Sequence, residues 1–244
     1  MNALAVVFWA AAALLGYTWV GYPLLLLALR RAAPGDAARR RSVTPHVSVI
    51  VAAYNEAGSI VAKLASTLAR QRYPHARLEA IVVSDGSSDA TDAFVQRYPD
   101  DRVRLVRQEP RAGKSPALNR GVAAARGEVL VFTDANALFA PDAIARLAAP
   151  FADPRVGLVS GQGLYGAGGD ARVAASGYVR FEAALKAGEA GLGFVASADG
   201  AIYALRRALY RDLVFNRFDL ARQVEATARV YRETAGALPQ RLAA

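Results

Sequence analysis

The chain has 244 residues, of which 54% are hydrophobic, with no cysteine, two histidines and a net charge of +9. That is enough apolar material for one substantial core plus an extra segment. The lack of cysteine excludes disulfides and thiolate zinc sites, and His46 and His75 are too few for a histidine-based metal centre.

The first element is apolar. From Ala3 to Leu29 no side chain is charged and only Thr18 is plainly polar. A membrane-spanning helix needs roughly 20 apolar residues, so this stretch suffices with some tilt. Trp9, Tyr17, Trp19 and Tyr22 suit the interfaces, and Gly16, Gly21 and Pro23 are better tolerated in such helices than in soluble ones. No basic residue precedes the run, and it is too long for the core of a cleaved signal peptide. Arg30, Arg31, Arg39, Arg40 and Arg41 follow; by the positive-inside rule they put this side in the cytoplasm, and they can attract anionic lipid. Residues 30–41 hold five arginines against one aspartate, +4 of the total +9. The rest is spread out, with no basic stripe interleaved with aromatics, which argues against nucleic acid. The expected organisation is a transmembrane anchor over 1–29, a basic linker over 30–45, a main domain over 46–235 and a short tail over 236–244.

After Pro45 strand and helix patterns alternate. "HVSVIVAAY" reads as a strand and "SIVAKLASTLARQ" as a helix capped by Ser59; "LEAIVVSD" is a strand and "DATDAFVQRY" a helix. "RVRLVRQ", "PALNRGVAAAR", the strand through "EVLVFTD" and the helix "DAIARLAAPF" continue the series. Alternation of this kind predicts an α/β fold, a mostly parallel sheet with helices on both faces. Ligands of such sheets bind beyond the carboxyl ends of the strands. Three strands end in informative residues: Tyr54-Asn55-Glu56, Ser84-Asp85-Gly86 and Thr133-Asp134-Ala135-Asn136. They are expected to converge on one edge.

Two motifs mislead. "GQGLYG", Gly161 to Gly166, matches a dinucleotide fingerprint but is followed by more loop rather than by a helix. "RAGKS", Arg111 to Ser115, ends like a phosphate-binding loop, yet Gln108 stands where the first glycine belongs. Lys114 at a loop-to-helix junction is still well placed to meet phosphate.

The converging ends suggest chemistry. A hard divalent cation takes oxygen ligands and usually shares them with substrate phosphates, so Asp134 and Asn136 on one turn form a candidate pair. Lys114 can neutralise a phosphate as a point charge. Asp85 can accept hydrogen bonds from a base or a ribose hydroxyl. Asp85-Gly86-Ser87-Ser88-Asp89 is equally an ordinary turn and helix cap.

"VSVIVAAYNEAGSI", "IVVSDGSSDATDAF", "RAGKSPALNRGVAAARGEVLVFTDAN" and "SADGAIYALRR" resemble, in order and spacing, the family-2 glycosyltransferases of the GT-A fold. The likeness is greatest to the bacterial membrane-anchored branch related to cellulose and poly-N-acetylglucosamine synthases. "YVRFEAALKAGEAGLG" resembles the helix that precedes that branch's acceptor region. The resemblance implies an inverting transferase that moves a sugar from a nucleotide-sugar, often a UDP-sugar, with Mg²⁺ or Mn²⁺, to a glycan or lipid-linked acceptor. The setting it implies is cell-envelope or exopolysaccharide synthesis at the inner (plasma) membrane, with a possible additional membrane subunit. Ala53, Tyr54, Glu56 and Asp85 match positions that hold the nucleoside, and Lys114 matches the lysine near the diphosphate. Asp134 and Asn136 match the D-x-D element that meets ribose, diphosphate and metal. Asp199 and Gly200 match a turn lining the acceptor side.

Two departures stand out. Inversion needs a base for the acceptor hydroxyl. The family places an aspartate before a phenylalanine; here the chain reads "FNRFDLARQV", with Arg217 in that place and Asp219 the nearest carboxylate. A step of two residues along a helix turns a side chain by about 200°. Asp219 therefore serves only if the local backbone differs, and the alternative is a catalytically impaired relative that binds nucleotide-sugar or a partner. The polymerising members also carry Q-x-x-R-W, whereas here Gln240-Arg241 has no tryptophan after it. That argues against processive synthesis and predicts a truncated tail. A nucleotidyltransferase shares the nucleotide and metal contacts, but the acceptor-side segment from Tyr178 to Arg207 speaks against it.

Overall fold

The computed structural model describes residues 2–30, 43–161, 177–194, 198 and 200–212. The apolar start is helical throughout: α1 is Ala3–Gly16 and α2 is Tyr22–Arg30, joined by a π-helical turn at Tyr17–Gly21. Pro23 explains the turn. Its ring lacks an N–H and crowds the carbonyl four residues back, and one wide turn relieves both. Ala3–Leu29, with a mean hydropathy of 1.9 over its most apolar window, is long enough to cross a membrane, and that window is not buried against the rest of the protein. Its carboxyl half meets the later helix α7, Gly177–Gly191. Trp19 stacks on Phe181 at 5.8 Å, Leu26 is buried, and the Tyr22 hydroxyl donates to Glu189 Oε1 at 2.7 Å.

The alternating segments build one six-stranded sheet. Its strands are β1 Val47–Ala53, β2 Leu78–Asp85, β3 Val103–Gln108, β4 Val129–Asp134, β5 Leu158–Ser160 and β6 Ile202–Arg206. The order is β3-β2-β1-β4-β6-β5. The first four strands run parallel, as the alternation predicts; β6 is antiparallel to both β4 and β5. The sequence reading did not assign β6 as a strand. Ile202 to Leu205 is an apolar run like those of its neighbours, but it is short and only Ala204 in the strand is fully buried.

Strand residues alternate between two cores. Val47, Val49, Val51, Ala80 and Val82 face one side, where α3 (Ile60–Leu64) contributes Ile60 and Leu64. On the same side α4 (Thr91–Gln96) brings Val95, and α6 (Ala143–Ala148) brings Ile144 and Leu147. Ile50, Ile81, Val83, Leu130 and Phe132 face the other side, under Ala117, Leu118 and Val122 of α5 (Lys114–Ala124). Helices thus cover both faces, which is why the inner strands read as continuous apolar runs.

Two local expectations need correcting. Ser59 precedes α3, but its side chain caps no N–H; the hydroxyl lies 2.5 Å from the Glu56 carboxylate instead. The helix also does not continue regularly: beyond Leu64 it widens into a π-helical stretch, Ala65–Ala69.

Candidate active site

The carboxyl ends of β1, β2 and β4 lie side by side, with Ala53 opposite Ser84 and Ala52 opposite Asp134. After buried Ala53 the chain turns through Asn55 at φ 55°, a left-handed conformation that asparagine tolerates better than most residues. The Asn55 Oδ1 accepts from the Ser88 N–H at 2.8 Å, and the Asn55 N–H donates to Ser87 Oγ. The Glu56 N–H donates to Thr91 Oγ1 at 2.8 Å, and the Ala57 N–H to Asp89 Oδ2 at 3.0 Å. The Ser-Ser-Asp turn after β2 therefore staples the β1 loop in place. Its acidic residue holds neighbouring backbone instead of facing the cleft.

Asp85 organises the next loop. It is buried, and Oδ1 accepts from Gln108 Nε2 at 2.6 Å and the Ala112 N–H at 2.8 Å, while Oδ2 accepts from the Gly113 N–H at 2.9 Å. Arg111 stands 3.8 Å from Oδ2. Burial works to raise its pKa, but the hydrogen bonds and Arg111 outweigh that and hold it below its ordinary value. A carboxylate offers about four lone-pair sites, so these donors leave room for another. Gln108, the residue that disqualifies the phosphate-loop pattern, proves to be one of the supports. Gly113, at φ 98°, lets the chain swing directly from Asp85 into α5.

Lys114 is the first residue of α5, and its Nζ lies 2.5 Å from Asp134 Oδ1. The two side chains are 55% and 40% exposed, so the pair adds little stability but stands open to a ligand. Asp85, the 111–113 loop, Lys114 and Asp134 form one continuous chain of contacts across the sheet edge. Asn136 is exposed on the turn after β4, beside this pair in sequence. Tyr54 is flanked by the Arg111 guanidinium, 3.6 Å above its ring, so aromatic and cation form a wall at the same edge. Gly200, in the turn before β6, is exposed, with no described atom close to it. Asp199, Arg217 and Asp219 lie outside the described residues, as does most of "GQGLYG". Its first residue, Gly161, donates its N–H to the Ile202 carbonyl as an extension of β5, so it belongs to a sheet edge.

Arg111 and Lys63 received no role from the sequence. Lys63 is fully buried; its Nζ donates to Thr133 Oγ1 at 2.7 Å and the Ala137 carbonyl at 2.5 Å, over the Phe139 ring. Burial pulls its pKa down to about 7, against the opposing pull of Asp134. A signal was present: Ile60, Lys63, Leu64, Thr67 and Leu68 follow helical core spacing, which sets a lysine among core positions.

A hard divalent cation fits the donor set at the β4 turn: a carboxylate and an amide oxygen, open to solvent, with the Lys114 ammonium already held at Asp134 as a positive charge. An amide oxygen is a weaker ligand than a carboxylate, so most of the grip falls to Asp134 and to ligand phosphates. Among the described residues, His75, Asp100 and Asp101 also cluster, but they are mostly exposed and precede β2 and β3, at the opposite edge. The cleft of about 400 Å³ lined by Thr44, Glu128, Phe151 and Arg206 opens at that opposite edge too, away from the converging carboxylates.

Residues 48–209 match the family model Glycosyl transferase family 2. The chain belongs to this family. The mannosyltransferase PcManGT of Pyrobaculum calidifontis, solved with GDP-Man and Mn²⁺, superposes with a TM-score of 0.67 at 34% identity, covering 82% of this chain and 56% of that one. The sheet is thus of the GT-A type. Succinoglycan biosynthesis protein ExoO of Rhizobium meliloti (strain 1021) is 40% identical over 103 residues, 42% of this chain and 29% of that protein. Beta-monoglucosyldiacylglycerol synthase of Trichormus variabilis (strain ATCC 29413 / PCC 7937) is 34% identical over 119 residues, 47% of this chain and 25% of that protein. The matched stretch thus spans between a quarter and a third of these two relatives.

Proposed function

We propose that this family 2 chain is a membrane-anchored inverting glycosyltransferase of the branch related to cellulose and poly-N-acetylglucosamine synthases. It transfers a sugar from a nucleotide-sugar, a UDP-sugar in the first instance, to a glycan or lipid-linked acceptor during envelope or exopolysaccharide synthesis. The observation that carries this reading is the contact chain from Asp85 through the 111–113 loop to Lys114 and Asp134. It joins a nucleoside-side residue to a diphosphate-side pair along the edge where α/β sheets bind ligands.

In this reading Tyr54 and Arg111 flank the base, Ala53 and Glu56 line the nucleoside, and Asp85 keeps the loop in place and offers its remaining lone pair. Lys114 leaves Asp134 for the diphosphate and stabilises the charge that develops as the bond to the sugar breaks. Asp134 and Asn136 would hold Mg²⁺ or Mn²⁺, which would supply further charge neutralisation of the leaving group. The acceptor hydroxyl enters past Asp199 and Gly200 and attacks the anomeric carbon as a carboxylate, assigned to Asp219, removes its proton. The apolar helix Ala3–Leu29 and the arginines after it fit a single-pass anchor with the domain on the cytoplasmic side.

A second reading rests on Arg217, a cation where the family has its base. The chain then binds donor without turning it over. Incubating membranes containing the full chain with Mn²⁺ and radiolabelled UDP-sugars, and with GDP-mannose because of the solved relative, separates the two. Sugar transfer that is lost in Asp219→Asn supports the enzyme. Binding without transfer, with turnover appearing in Arg217→Asp, favours the second reading.

A further inference from the structure

Lysine is among the residues least often fully buried, because removing an ammonium from water is costly. Lys63 nevertheless lies fully buried under the donor-side edge. Its partners among the described residues are two neutral oxygens and the face of Phe139. A methionine fills a similar volume without the desolvation cost, so core packing alone does not account for a lysine.

The hydrogen bonds have a direction. Thr133 Oγ1 has one proton and lies 2.7 Å from the Ala201 carbonyl. It donates there and accepts from Lys63. A second Lys63 proton goes to the Ala137 carbonyl, and the Ala137 N–H closes a turn onto the Asp134 carbonyl at 3.3 Å. Asp134 and Asn136 are the first and third residues of that turn. Ala201 follows Gly200 and directly precedes Ile202, the first residue of β6. One lysine amino group therefore bolts the Asp134–Ala137 turn directly and the Gly200–Ala201 segment through Thr133.

We propose that Lys63 is a positioning residue that sets the donor-side turn carrying Asp134 and Asn136 in register with the acceptor-side segment entering β6. The inference rests on the proposed donor site, since it explains how that site and the acceptor side share one support.

The test uses the full chain in detergent, in wild-type, Lys63→Met, Thr133→Val and Thr133→Ser forms. Without ligand, hydrogen exchange of the 134–139 segment is expected to quicken roughly tenfold in Lys63→Met, as befits loss of a buried hydrogen bond. Exchange at 200–203 is expected to quicken in both Lys63→Met and Thr133→Val. The affinity for Mn²⁺ with UDP or GDP falls roughly tenfold with it, and Thr133→Ser, which keeps the hydroxyl, restores both. If Lys63→Met fails to fold, Thr133→Val against Thr133→Ser carries the comparison. Unchanged exchange in the variants overturns the clamp. Faster exchange with unchanged nucleotide affinity overturns its positioning role. A wild-type protein that binds neither nucleotide overturns the donor-site reading and this inference with it; that control keeps the two failures apart.

Discussion

Asp85 shows how one carboxylate shapes a site without standing at its centre. It gathers the Gln108 side chain and two loop N–H groups, and so fixes where α5 begins and where Lys114 points. Asp85→Asn keeps the size but sets an amide group against N–H donors. We expect a loss of about 2 kcal/mol in chemical denaturation, the scale of hydrogen bonds to a charged group. Because the folded-state pKa lies below the ordinary value, that contribution is fully present above about pH 4 and drains away as the pH falls through the folded value. Wild type therefore loses stability in acid more steeply than Asp85→Asn, and parallel acid titrations of the two would contradict this account. Ser59→Ala should change stability by less than the ~1 kcal/mol of a true helix cap, since its hydroxyl caps nothing.

The elements were legible in unequal degree. β1, β2 and β4 announced themselves because both faces are buried, and their apolar runs are long. The meeting of their ends followed from the parallel order. β6 was not legible because its apolar run, Ile202 to Leu205, is short and only Ala204 is fully buried, and it follows turn residues rather than a strand–helix alternation. The loop supports were not legible either: Gln108 and Arg111 act through a turn whose path depends on Gly113, and spacing does not reveal that path. Lys63 was legible only as an anomaly of helical spacing. At this scale the packing of α5 is tight, and a Cβ on Gly121 would lie 2.5 Å from Ile50 Cγ2 and 3.1 Å from Val83 Cγ2. Gly121→Ala should lift the helix from the sheet and cost about 1–3 kcal/mol in thermal or denaturant melts. Nucleotide affinity should fall too, because Lys114 rides on the same helix. Wild-type stability in this variant would show that α5 has slack.

The whole molecule is divided between its two edges. At the amino edge the polar groups are structural. Glu79 is buried and accepts from Ser48, Arg104 and the Arg126 N–H, and these bonds hold its pKa low despite burial. At the carboxyl edge Lys114 and Asp134 are open and paired across loops, above the buried Asp85 and Lys63. The apolar helix joins this body through Trp19, Tyr22 and Leu26 against α7. Removing residues 3–29 should release the protein from membranes into the soluble fraction on sedimentation. Retention on membranes would mean that the anchor lies elsewhere.

In the proposed function separate loops deliver Asp85, Lys114 and Asp134 to one nucleotide site. Calorimetric titration of UDP and of GDP into the full chain, with and without Mn²⁺, tests it most directly. Metal-dependent binding of at least one nucleotide is expected, abolished in Asp134→Ala and weakened at least tenfold in Lys114→Ala. Binding that persists unchanged in Asp134→Ala, or is indifferent to Mn²⁺, would contradict it.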